Sequence, residues 1–293
     1  MFFPQVAPLA RRNRPDSMVP GRDDRGGEWF GGNMRAWVLA LLLMPGLIFW
    51  AGSSWAQSQG DAQSQAQGQA APAPADPKKA AEDAEDQTMV RLLREGVQAM
   101  RSGQPRQAIA SYDQVIATYE ARYKERKERV YCASTTAETL AYMVLAASQK
   151  QSAIAVTPNW AIAYFLKGYA QVELQDLPGA KASLEHARDL SPYNPQFLIE
   201  LANLYKSEKN WPQALETYQA AKEHSAAFSL PQAKDTDEMK ALHGIAFVYS
   251  ETGKLDEAEA IYKQCLAKNP QDAYAQHELD YVVKEKAKQA QVH

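Results

Sequence analysis

The side chains best suited to chemistry in this chain are five histidines, His186, His224, His243, His277 and His293, and two cysteines, Cys132 and Cys265. A protein zinc site needs several such ligands at short, regular spacing. No two of these residues stand at that spacing. His277-Glu278 starts like a zinc-protease helix, but Tyr281 stands where the second histidine would be. There is no glycine-rich phosphate loop and no Gly-x-Ser-x-Gly elbow. The run Lys124-Glu125-Arg126-Lys127-Glu128-Arg129 concentrates charge, but mixed signs at close spacing describe a solvated face with local pairs. The expectation is a protein with no catalytic residues, no metal and no cofactor, whose function lies in its surface. A formal net charge of -3 and a pI near 6.0 provide no basic field, so nucleic acid is not an expected partner.

The elements that would build such a surface begin well inside the chain. Met34 to Ala56 reads MRAWVLALLLMPGLIFWAGSSWA: a short positive start at Arg35, an uncharged apolar run from Ala36 to Gly52, and the small-x-small pattern Ser54-Trp55-Ala56. That order is a secretory signal peptide, with the mature chain starting at Gln57 and a periplasmic or exported location. The alternative is an uncleaved inner-membrane anchor, and the membrane is an expected partner only in that case. Residues 1–33 are a leader of doubtful reality, either an over-called start ahead of Met34 or a disordered cytoplasmic extension. Residues 57–85 open on low-complexity Gln, Ala, Ser, Gly and Pro and are expected to be a disordered linker. The folded domain is expected over 86–290.

Inside that domain small residues recur in register. Gly168 is followed at offsets of 12, 16, 19 and 24 by Ala180, Leu184, Ala187 and Pro192. Ala202 is followed at the same offsets by Ala214, Tyr218, Ala221 and Ala226, and Ala246 by Ala258, Tyr262, Cys265 and Pro270. Gly96 is followed by Ala108, Tyr112 and Val115. The first two of these units are thirty-four residues apart, and the third is displaced by a polar insertion at Ser229 to Glu238. Small side chains at fixed offsets let two antiparallel helices approach closely. A proline then stops the second helix, because its ring clashes with the preceding turn.

This pattern resembles the tetratricopeptide repeat family, a stack of helix-turn-helix units of that period. The resemblance implies an all-α fold: a right-handed α-solenoid with repeats at about 89–122, 161–194, 195–228 and 239–272. One degenerate unit would occupy 123–160, and a C-terminal capping helix 273–289. In the degenerate unit no turn stands where the family has one. The reading is a second helix running on to about Tyr131, followed by a long helix from Ala137 to Val156. In the cap, Ala275, Leu279, Val282 and Val283 form one apolar stripe. Because stacked repeats touch only their neighbours, Cys132 and Cys265 are expected to be too far apart for a disulfide.

The resemblance also implies a concave groove lined by the first helix of each unit. The residues it assigns there are Leu93 and Val97, then Phe165, Tyr169 and Glu173, then Gln196, Asn203 and Lys206, and finally Lys240, His243 and Phe247. The Lys and Asn set with which some members grip a peptide carboxylate is not reproduced, since Phe165 and Tyr169 occupy its first two places. The implied function is a periplasmic scaffold or adaptor that binds a protein or peptide in this groove, in envelope assembly or secretion. The alternative is an accessory or catalytic protein of cell-envelope metabolism with a site between helices.

Overall fold

The computed structural model describes residues 77–291. The leader, the segment 34–56 and the linker as far as residue 76 lie outside the described residues. Ten helices run through the described part: α1 (Pro77–Arg101), α2 (Pro105–Tyr123), α3 (Thr136–Ser148), α4 (Asn159–Glu173), α5 (Leu177–Leu190), α6 (Pro195–Ser207), α7 (Trp211–Phe228), α8 (Lys234–Glu251), α9 (Leu255–Lys268) and α10 (Ala273–Ala290). Apart from α3, each packs chiefly on the helices next to it in the stack, α1 on α2, α2 on α4, α4 on α5 and so on to α10. The architecture is an all-α solenoid.

Local chemistry sets the helix ends. Proline lies in the first turn of α2, α5, α6 and α7, where its missing N–H costs no hydrogen bond. Asp176, Asn194 and Asp272 accept backbone N–H groups as N-caps of α5, α6 and α10. The turn inside each pair uses one residue of positive φ: Gly103, Gln175, Lys209 and Gly253. The residue after each of these returns its N–H to a carbonyl five residues earlier, as in Asp176 to Gln171 and Asn210 to Tyr205, both at 2.9 Å.

The small residues meet at the helix crossings. Ala180, Ala187, Ala214, Ala221, Ala258 and Cys265 are fully buried. A methyl group on Gly168 would stand 2.9 Å from Leu184 Cγ, and one on Gly96 would overlap the Tyr112 ring at 2.4 Å. Tyr112, Tyr218 and Tyr262, in the aromatic slot of three units, are all buried. The core has one cluster from α1 to α8, a second where α8, α9 and α10 meet, and a small third of Tyr131, Tyr142 and Ala146 under α3. Cys132 and Cys265 are both buried free thiols, in the first and second clusters respectively.

Three expectations need correction. The linker expected over 57–85 is shorter, because α1 starts at Pro77. Residues Lys78 to Glu85 are mostly Ala, Lys and Glu, which favour helix. Arg122 then holds the end of this stretch through Glu85 and, at 2.9 Å, Asp86. In the capping helix Val283 is 47% exposed, so the stripe narrows to Ala275, Leu279 and Val282.

The third correction is the degenerate unit. It is not a merged pair of helices. α2 stops at Tyr123, and two strands follow, β1 (Arg129–Cys132) and β2 (Ala153–Val156). They pair in parallel, Arg129 opposite Ala153 and Cys132 opposite Val156, with α3 as the crossover. Parallel strands require such a connection. α3 begins on a capping box: Thr135 Oγ1 accepts the Glu138 N–H at 3.1 Å, and the Glu138 carboxylate reaches back to the Ser134 N–H. The unit is fastened to the stack by Arg129, which donates to the Asp189 carbonyl at 2.8 Å, and by the Ser191 hydroxyl, which donates to the Cys132 carbonyl at 2.7 Å. The inserted segment expected at 229–238 is partly helical, since α8 begins at Lys234.

Candidate functional site

The first helices α4, α6 and α8 bring one polar cluster together around Glu200. Glu200 lies on α6 one turn before Asn203, whose Nδ2 donates to it at 3.1 Å. The Tyr218 hydroxyl donates to Asn203 Oδ1 at 2.5 Å. Tyr169 on α4 also bonds to Glu200, and burial pushes its phenol far above the usual range. Lys206 and Lys240 both feel the Glu200 charge. Burial nevertheless lowers each lysine to about 8, because the desolvation of an ammonium outweighs the nearby carboxylates. Asp237 lies near Lys240 and accepts from the Ser229 hydroxyl at 2.7 Å, and burial raises its carboxyl.

The C-terminal side of the same face is aromatic and basic. The Lys206 ammonium sits 5.1 Å from the centre of the Phe247 ring, within cation–π range. Trp211 lies 6.4 Å from Phe247, tilted against it. His243 pairs with Asp272 at 2.7 Å and packs on Tyr274 at 4.7 Å. Burial lowers the imidazole and Asp272 partly offsets this.

The structure sorts the residues expected in the groove into two groups. Gln196, Lys206, Lys240, His243, Phe247 and Glu173 are half-buried. Asn203 is 9% exposed and acts inside the cluster. Phe165 and Tyr169 do not offer their rings to a ligand, being 2% and 5% exposed. Phe165 stacks edge-on against Tyr169 at 4.8 Å and lies 4.6 Å from Phe197, so α6 closes over it. Leu93 is buried in the core, and Val97 packs against that core. Apart from Glu173 at the end of α4, the half-buried residues of this set lie on α6 and α8.

Spacing did not pick out Glu200, Asp237 and Asp272. Two of them had a legible trace: Asp272 stands at N-cap distance before Ala275, and Glu200 shares a helix face with Asn203. Asp237 had none, since it lies in the insertion. Among the described residues no group of three or more His, Cys, Asp or Glu side chains is placed to hold a metal ion, and no helix is long and apolar enough to cross a membrane.

Two family models, both described as tetratricopeptide repeat, match the chain, one over residues 146–229 and the other over 195–271. Among solved structures, the first TPR of Spaghetti (RPAP3) bound to the HSP90 peptide SRMEEVD is 21% identical, with a TM-score of 0.39 over 45% of this chain and 97% of that one. One crystal structure of MamA is 19% identical, with a TM-score of 0.42 over 67% of this chain and 86% of that one. Another is 18% identical, with a TM-score of 0.33 over 64% and 95%. No curated protein matches the chain.

Proposed function

We propose that this chain, which is a tetratricopeptide repeat protein, is an exported scaffold of the cell envelope that holds a protein or peptide partner on the face formed by α6 and α8. The observation that carries the reading is the Glu200-centred face itself. It sets Lys206 over the Phe247 ring, brings Lys240 within reach of the Glu200 and Asp237 charges, and leaves Gln196 and His243 half-exposed at its edges. Partly desolvated cations beside an aromatic ring suit a peptide that brings both a carboxylate and an apolar side chain. The solenoid needs none of these side chains for its helix crossings, which the small residues already make.

Export rests on Arg35, the apolar run 36–52 and Ser54-Trp55-Ala56. N-terminal sequencing of protein from the periplasmic fraction should read from Gln57. Recovery of the chain with Met34 still attached in the membrane fraction would replace export by anchoring. For the binding face, a photo-crosslinking side chain placed at Gln196 or Phe247 in living cells should capture one partner. The same probe at Glu216, exposed on α7, should not. Equal capture from both faces removes the support for this site.

A further inference from the structure

The described residues contain three large apolar side chains that are substantially exposed: Leu140 at 63%, Val144 at 70% and Val283 at 47%. Two of them stand one turn apart on α3, the crossover helix of the parallel strand unit. The inward side of α3 is fixed by Glu138, Tyr142 and Ala146, which are buried. At 100° per residue, Leu140 and Val144 then point almost directly away from the strands, with Ala137 and Ala147 beside them. Exposed Thr136 and Ser148 complete that side. The only charged residue in the thirteen of α3 is Glu138, on the inward face. An uncharged outer helix face is out of keeping with a chain in which 23% of residues are charged.

We infer that the outer face of α3 rests on an anionic lipid surface. Two observations select this occupant. The area of the face is too small for a second copy: a thirteen-residue helix offers about 200 Å² in projection, against about 800 Å² per partner in a stable interface. The charge at its end is complementary to acidic headgroups. α3 ends at Ser148, next to Lys150, and the parallel pairing brings Arg129 to the same end of the strands, its N–H bonded to the Ser152 carbonyl at 2.9 Å. Lys124, Arg126 and Lys127 are exposed in the segment that leads to Arg129. Against these five basic side chains stand Glu125 and Glu128, the latter paired with Arg126 at 3.6 Å.

A short apolar face or a basic cluster alone gives weak, reversible membrane binding, and the two together act as paired signals. α3 is too short to span a bilayer, so it lies on the surface with Leu140 and Val144 below the headgroups. This contact lies on the degenerate unit, apart from the α6 and α8 face. Loss of one therefore does not report on the other.

The test uses the full chain carrying Val144→Cys, labelled with a fluorophore and mixed with vesicles of phosphatidylglycerol and brominated phosphatidylcholine. Both native cysteines are buried, so the label goes to position 144. A second protein labelled at Ala267→Cys, exposed on α9, controls for mere proximity. The expected result is several-fold quenching at position 144 and little at position 267. Quenching should fall to the control level in vesicles of phosphatidylcholine alone, and also when Lys124, Lys127 and Lys150 are changed to Glu. Absence of quenching at 144 overturns the inference, as does equal quenching without the anionic lipid. A disulfide-linked dimer through position 144 without vesicles also overturns it, by assigning the face to a second copy.

Discussion

His243 and Asp272 form the joint between α8 and α10. One carboxylate oxygen of Asp272 lies 2.7 Å from His243 Nε2, and the other accepts the Ala275 N–H at 3.0 Å as the N-cap of α10. One side chain therefore starts the last helix and ties it to α8, two helices earlier. Asp272→Asn keeps the cap, whereas Asp272→Ala loses cap and pair together and should cost about 1–2 kcal/mol. Burial holds the His243 imidazole below its ordinary value. The folded state thus binds fewer protons than the unfolded one just below the ordinary histidine pKa of about 6.5. Stability should fall as pH drops through that window, and His243→Gln should flatten the slope. Urea melts at several pH values check both outcomes.

Lys206 and Lys240 should lose their charge near pH 8 rather than above 10, since burial lowers both to about that value. The unfolded chain would still hold these protons, so stability contributed by the two sites rises with pH above 8. Binding runs the other way: a partner held by these cations should weaken as pH climbs from 7 to 9. Mass spectrometry after brief acetylation at pH 8 should find these two lysines more reactive per exposed area than Lys263 or Lys284. Equal reactivity would mean that the site is wetter than the packing indicates.

The turns inside two helix pairs carry a backbone cost. Gln175 and Lys209 have φ of 60° and 57°, where Gly103 and Gly253 serve the other two pairs. A left-handed residue with a Cβ is disfavoured by about 1–2 kcal/mol, and glycine removes this at some cost in unfolded-state entropy. Lys209→Gly and Gln175→Gly should each stabilise the fold by roughly 0.5–1 kcal/mol. Neither side chain is on the binding face, so partner capture should not change. Denaturant midpoints decide this, and a loss of stability at both sites would mean that the side chains make contacts that outweigh the strain.

These turns mark the boundary of what the sequence disclosed. The pairs on either side of them were legible because small residues at fixed offsets report helix crossings, and a crossing is a local matter within one repeat. The strand unit was not, because four residues such as Arg129 to Cys132 are too few to show a period, and their pairing with Ala153 to Val156 depends on a crossover. The face was half legible. The resemblance assigned Lys206 and Phe247 to one groove, and the Lys206 ammonium does lie over the Phe247 ring, but no offset reports that Phe197 from the next helix covers Phe165. Burial of that kind is decided between repeats.

The close crossings give the next prediction. Ala180 and Ala214 are fully buried at the start of their second helices, while Ala182 is exposed. Adding three heavy atoms at either buried site forces the helices apart and should cost about 1–3 kcal/mol. Ala182→Leu should change stability by less than about 0.5 kcal/mol, as exposed positions usually do. Thermal melts of the three variants test the register of the repeats as well as the packing, since equal melts for all three would mean that the register is wrong.

The burial of Phe165 also changes what an aromatic deletion would mean. Phe165→Ala removes a ring wedged between Tyr169 and Phe197 and should cost about 3–5 kcal/mol of stability. Any loss of binding in that variant would follow from loss of the fold. Phe247 is different: it is half-buried, with Lys206 over its ring, and stands at the open side of the cluster. Combined Phe247→Ala and Gln196→Ala should leave the helical circular dichroism intact and lower partner affinity at least tenfold, as removal of an aromatic anchor commonly does. A matched pair on the opposite side, Glu216→Ala with Gln219→Ala on α7, should leave affinity unchanged. If both folded pairs bind like the parent, the partner does not sit on α6 and α8, and the charges gathered around Glu200 serve only to hold the repeats together.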